Sequence, residues 1–350
     1  MPAKIELKLA NSAKEWNKLV EKSSYGTIFH RWEWLKIVEK HTKSKLYPVI
    51  GYKNETPVGI YPFYYQKKKL VKFIFSPPPK SLLMYMGPAV IDSNNFLKQD
   101  KRELRLIELH KATYEFMKSL GYDYIRIRTS PGLIDARPFL WTGFCVEPLY
   151  TYVINLDRSI KHIWENLNKE LRRNINKAKK SGVIIEEGSR EELYLLDELL
   201  KKRFIEQGVS LKYRDYKRYL GDLYNEFYPQ SLRIFVAKYD GEIVTGQIIT
   251  CYKDKISLWA GSPKTNLLRG TPTELLQWEI IRWAHENGFK YCEIMAGDDP
   301  RLRHFKAKFN PELVVWFSAT KCSPKYMILE KVAKLIHYGK RAGEPNERSS

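Results

Sequence analysis

Between residues 298 and 306 the chain collects Asp298, Asp299, Arg301, Arg303, His304 and Lys306, with Phe305 among them. Carboxylates this close together can take a proton from a reacting group. A lysine near its usual value of ~10.4 is a cation at neutral pH, suited to steadying developing negative charge rather than to acting as a base. Asp-Asp-Pro is also ordinary turn chemistry, so Asp298 and Asp299 are candidate bases by position only. The seven histidines never reach HExxH spacing, and neither a GxSxG elbow nor a paired Cys/His signature occurs. No metal site is expected. The four cysteines form no CxxC pair and read as reduced residues of an intracellular protein.

The elements around that cluster read as strand, loop, helix, strand, loop, strand over residues 256–317. Ile256–Ala260 is an apolar run, and Gly270, Thr271 and Pro272 open a helix. Leu275, Leu276, Ile280, Trp283 and Ala284 give it an apolar stripe, and Asn287-Gly288 stops it. Phe289–Met295 returns as a strand, and the charged cluster lies in the loop beyond. Loops at strand ends are where ligands gather in helix-covered sheets.

The same order occurs earlier in the chain. Ile50–Tyr65 and Val236–Tyr252 both read as hairpins, with Gly59 opposite Gly246. Tyr85-Met86-Gly87-Pro88 stands where Trp259-Ala260-Gly261-Ser262 stands later, and Gly121–Ile125 echoes Gly288–Cys292. Tyr124–Arg128 is a strand alternating apolar and basic residues. A duplicated strand–helix–strand unit predicts an α/β (α+β) chain of two domains of one fold, each a mixed sheet. Their spans are 1–155 and 156–319, with 320–338 packing back on the first and 339–350 a disordered tail.

The formal net charge of +20 favours polyanionic partners, with a lysine-rich surface kept for solubility as the plainer reading. Ser159–Ser181 reads as one amphipathic helix ended by Gly182. Its wet face carries Arg172, Arg173, Lys177 and Lys180 with few acids to offset them, an arrangement that suits an RNA backbone. No apolar stretch is long enough to span a membrane, and no signal peptide is apparent, so a cytoplasmic protein is expected, with peripheral contact at the inner membrane face as a second possibility.

Several segments together resemble the Fem family, the aminoacyl-tRNA-dependent transferases of peptidoglycan bridges. They are Ser24–Thr27 with Trp34-Leu35-Lys36, Met86–Val90, Leu171–Val183, Ala260-Gly261-Ser262 and His304–Phe309. The likeness covers roughly residues 23–338. It implies two tandem domains of the GNAT (acyl-CoA N-acyltransferase) fold without the coiled-coil arm of some members. By resemblance, Phe305 and Lys306 sit at the transfer centre, while Lys36 and Lys212, with Arg214, meet the acceptor's phosphates. Trp259 stands where armless relatives carry Tyr, in the acceptor pocket.

The expected reaction is transfer of an amino acid from aminoacyl-tRNA, a co-substrate, to an amine of a phosphorylated or lipid-linked cell-wall precursor. It needs no cofactor, and a monomer is expected. Two alternatives stand beside it. One is an acyl-CoA-dependent N-acyltransferase, for which Leu268–Leu276 is a faint pyrophosphate loop with Pro272 lacking a donor. The other is a non-catalytic RNA- or membrane-surface-binding protein.

Overall fold

The structure is a computed structural model that describes residues 5–92, 98–206, 216–261 and 267–332. Its first repeat runs β1 (Glu6–Leu9), α1 (Ala13–Glu21), α2 (Trp32–Thr42), β2 (Lys45–Lys53), β3 (Thr56–Lys68), β4 (Val71–Ser76), β5 (Ala89–Val90), α3 (Gln99–Leu120), β6 (Tyr124–Arg128), α4 (Arg137–Trp141) and β7 (Cys145–Asn155). The second runs α5 (Ile160–Asn166), α6 (Lys169–Lys180), β8 (Ile184–Glu187), α7 (Arg190–Glu206), α8 (Lys217–Phe227), β9 (Leu232–Tyr239), β10 (Glu242–Tyr252), β11 (Lys255–Gly261), α9 (Thr271–Glu286), β12 (Tyr291–Ile294), α10 (Pro300–Ala307) and β13 (Glu312–Cys322).

The strands form one sheet in the order β1-β2-β3-β4-β6-β13-β7-β12-β11-β10-β9-β8, with β5 beside β3. In each repeat an antiparallel run ends on a parallel neighbour reached through a crossover helix: β4 to β6 through α3, β11 to β12 through α9. The last strands are exchanged. β13 pairs with β6 of the first repeat, β7 pairs with β12 of the second, and the two pair with each other from Glu312↔Val153 to Thr320↔Cys145. The mixed sheets of the two repeats thus join into a single continuous sheet.

Each crossover helix buries its stripe in its own repeat, α3 over Ile125 and Ile127, α9 over Ile256 and Cys292. A third core is shared between repeats and joins α1 and α2 to α7 and α8. At its centre Trp34, fully buried, packs against Phe29 at 5.1 Å, Phe227 at 5.1 Å and Trp259 at 5.2 Å. Beyond β13, residues 324–332 are helical, and Tyr326 packs on Phe73 and Tyr124 of the first repeat. Residues 333–350, including the expected tail, lie outside the described residues.

Both hairpins turn through left-handed backbone, Asn54-Glu55 at φ 47° and 62°, Asp240-Gly241 at φ 53° and 79°. The two strand glycines are not equivalent, however. A Cβ on Gly59 would meet Leu109 of α3 at 2.5 Å, while one on Gly246 would meet Leu196 of α7 at 2.4 Å. Gly246 stands one residue further from its turn, and a one-residue offset in a strand reverses the face. The helix expected over Ser159–Ser181 is two helices. Asn168 breaks it, its side chain accepting from Glu170 N at 2.9 Å and its own N–H donating to Lys308 O at 2.9 Å. Asn competes with a helix's internal bonds and favours its start.

Candidate active site

The segment after β12 is not a loop throughout. Asp299 caps α10, accepting from Arg301 N at 2.9 Å, and Pro300 occupies the first turn, where a missing N–H costs nothing. The two candidate acids therefore differ. The Arg301 guanidinium and N–H hold Asp299 down at about 2, which makes it a cap and not a base. Asp298 accepts from Tyr150 N at 2.7 Å, and burial pushes its carboxyl above the usual range.

Lys306 points inward from α10 and is 7% exposed. Its Nζ donates to Met295 O and, at 2.8 Å, to Ala296 O, at the point where β12 ends. Ala296 has φ 62°, an uncommon conformation for a residue with a side chain and a mark of functional segments. Burial lowers the Lys306 ammonium to about 8, and Asp299 and Asp298 offset this only in part. The chain thus holds a desolvated, titratable cation beside an acid raised by burial, the kind of pairing that active sites use. Phe305 sets its ring edge-on to Phe309 at 5.8 Å and packs on the second repeat's core.

Gly297 fixes this segment to β7. Its N–H donates to Tyr150 O at 3.1 Å, and a Cβ there would lie 2.6 Å from that same oxygen. Gly297→Ala is expected to push Asp298 and Lys306 out of place, and displacements of this kind cost on the order of 10²-fold in rate. Turnover within threefold of wild type would show that the close approach does not matter.

The RNA-facing candidates lie nearby. Lys308 pairs with Glu170 of α6 at 3.0 Å, and Arg173 and His304 both act on that carboxylate. Arg172 is half-buried, and Arg173, Lys177 and Lys180 are exposed. None of these four makes an ion pair within 4 Å among the described residues, although Arg173 acts on Glu170 from further away. Lys36 is elsewhere, exposed on α2 and paired with Glu39. No contact among the described residues joins it to Lys306. One helical turn on, Lys40 and His41 meet Asp222 of α8 at 2.8 and 2.6 Å, on a groove of about 700 Å³ that also takes in Arg190 and Arg218. Lys212 and Arg214 lie outside the described residues. Trp259, expected in an acceptor pocket, is 8% exposed in the core shared between the repeats, and its Nε1 donates to Leu82 O at 2.9 Å.

A further cluster ties the repeats together. Glu293, fully buried two residues before Met295, accepts from Tyr85 at 2.8 Å, Thr151 at 2.9 Å, Lys255 at 2.9 Å and Ser257 at 3.2 Å. Burial alone would raise its carboxyl; Lys255, Tyr85 and Thr151 outweigh that and hold it low. The sequence signal was a lone acid inside an apolar strand. No group of three or more potential metal ligands gathers among the described residues.

Residues 165–307 match the family described as Acetyltransferase (GNAT) domain. A crystal structure of FemX has the same fold, with a TM-score of 0.69 and 14% identity over 93% of this chain and 100% of that one. The C-terminal domain of a putative lysylphosphatidylglycerol synthetase from Agrobacterium fabrum aligns with a TM-score of 0.56 and 12% identity, over 93% and 96% of the two chains. A tandem GNAT protein from the clavulanic acid biosynthesis pathway gives 0.51 and 11%, over 91% and 98%. No curated protein sequence matches the chain. The fold is a tandem GNAT fold, the acyltransferase architecture written twice, as the resemblance implied.

Proposed function

We propose that the protein is an aminoacyltransferase that moves an amino acid from aminoacyl-tRNA to an amine of a phosphorylated or lipid-linked cell-wall peptide precursor. The observation that carries this reading is the buried Lys306 ammonium at the end of β12, on a helix whose Lys308 pairs with Glu170 of the basic helix α6. The acceptor amine attacks the ester carbonyl carbon, the C–N bond forms, and the C–O bond to the ribose breaks. Lys306 steadies the negative charge that passes to the carbonyl and ribose oxygens. Asp298 takes the amine's proton, which ends on the ribose hydroxyl. The Arg172, Arg173, Lys177 and Lys180 face tracks the RNA, and Lys36 serves the acceptor's phosphates.

An acyl-CoA donor fits less well. Glu274, 1% exposed, places a carboxylate in the first turn of α9, where a pyrophosphate would need free N–H groups and positive potential, and Pro272 removes one donor. No helix among the described residues is long and apolar enough to cross a membrane. Calorimetry with acetyl-CoA beside binding assays with charged tRNA separates the donors. Expected are tRNA binding that weakens steeply with salt and no heat from acetyl-CoA; the reverse pattern would overturn the proposal.

A further inference from the structure

The strand β6 carries two arginines that the transfer centre does not use. Ile125 and Ile127 point into the α3 core, fully buried, so Arg126 and Arg128 share the opposite face of the sheet. Each is half-buried over an aromatic ring, Arg126 over Phe75 at 5.3 Å and Arg128 over Trp316 at 6.0 Å. The Nε of each is buried without a hydrogen-bond partner, and neither guanidinium has an ion pair among the described residues. On β13 the neighbours in register are Ser318 beside Arg128 and Thr320 beside Arg126, and Glu147 lies one strand further, exposed. Asp298 attracts Arg128 but is already held by Tyr150 N.

Two like charges, side by side and partly desolvated, repel each other and cost stability unless something neutralises them. Burial and Arg126 indeed both disfavour the charged form of Arg128. Packing over the rings restricts the two guanidinium groups, and a planar fork matches the oxygens of a phosphate or carboxylate. Asp298, held on Tyr150 N of β7, feels both Arg128 and Lys306, so Arg128 is the member of the pair on the side of the transfer centre.

We propose that Arg126 and Arg128 form an oxyanion-binding site on the sheet face beside the Asp298–Lys306 segment, taking a phosphate or carboxylate group of a substrate. The site itself stands on these side chains alone; its assignment to a substrate of the transfer rests on the function proposed above.

The test is titration of the full chain with inorganic pyrophosphate and, separately, with N-acetylalanine as a simple carboxylate, followed by calorimetry and by the shift in Tm. Either anion is expected to raise Tm in the wild type, and the stronger of the two names the group. Arg126→Gln and Arg128→Gln should each weaken that binding at least tenfold. Their unliganded Tm should be equal or higher, because a repulsion is removed. Arg128→Lys, which keeps the charge but loses the fork, should bind in between and guards against a misfolded Gln variant. No binding by the wild type, or affinity unchanged in all three variants, overturns the proposal. Binding through the arginines in a protein that fails to use aminoacyl-tRNA would leave this site standing and remove only the transfer reading.

Discussion

Replacing Lys306 by Met is expected to lower aminoacyl transfer by about 10²–10³-fold, the usual cost of removing one group that stabilises the developing oxyanion. The fold should survive. Burial lowers this ammonium to about 8, so below that pH the folded state holds a proton it binds less tightly than the unfolded chain does. The lysine therefore costs stability at neutral pH, a cost that fades as pH rises from about 8 toward ~10.4. Against this, Met leaves Met295 O and Ala296 O without their donor, a loss of about 1–3 kcal/mol apiece. The two effects oppose each other, so little net change in stability accompanies a large loss of rate. The wild-type rate should also fall as pH climbs through about 8 and the cation is lost. Single-turnover measurements with charged tRNA across pH check both points. A Met variant with wild-type turnover, or a wild-type rate flat from pH 7 to 9, removes Lys306 from the mechanism.

The second large effect is on stability. Glu293→Ala should destabilise the protein by about 3–5 kcal/mol, since it leaves Lys255, Tyr85, Thr151 and Ser257 around an uncompensated void. Tyr85→Phe removes one donor and should cost only about 1 kcal/mol. The pH dependence has a definite sign. A carboxyl held low in the folded state contributes stability that is complete above its unfolded value of ~4.3 and disappears as pH falls through the lower folded value. Urea titrations of the wild type should show this acid-side loss, and the Ala variant should lack it. A loss under 1 kcal/mol in Glu293→Ala would mean that the network is ornamental.

Elements whose period is local were legible from residues alone. The α9 stripe, its Asn287-Gly288 stop and the two hairpins all follow from neighbours within a few positions. The α10 helix was hidden because only Lys306 of its residues is buried, so no apolar stripe marks it, though Asp299-Pro300 is a fair capping signal. The break at Asn168 was masked by apolar residues that keep their spacing across it. At the site, Lys306 was reached through resemblance, whereas Glu293 depends on Tyr85 and Thr151, partners far away in sequence. The alternation of β6 showed two basic residues on one face but could not say that their guanidinium groups make no ion pair among the described residues. The packing of Trp259 on Trp34 was not legible either, because an aromatic ring in a strand serves a pocket or a core equally well.

The exchange of β7 and β13 bears on how the polypeptide comes to be assembled. As the chain leaves the ribosome, β6 of the N-terminal repeat has an open edge and β7 has neither of its sheet partners until β12 and β13 have followed. Maturation is therefore concerted: neither repeat can close by itself. An exposed strand edge is a template for pairing with other chains, so the interval before β13 arrives is the time when nascent copies are most prone to aggregate.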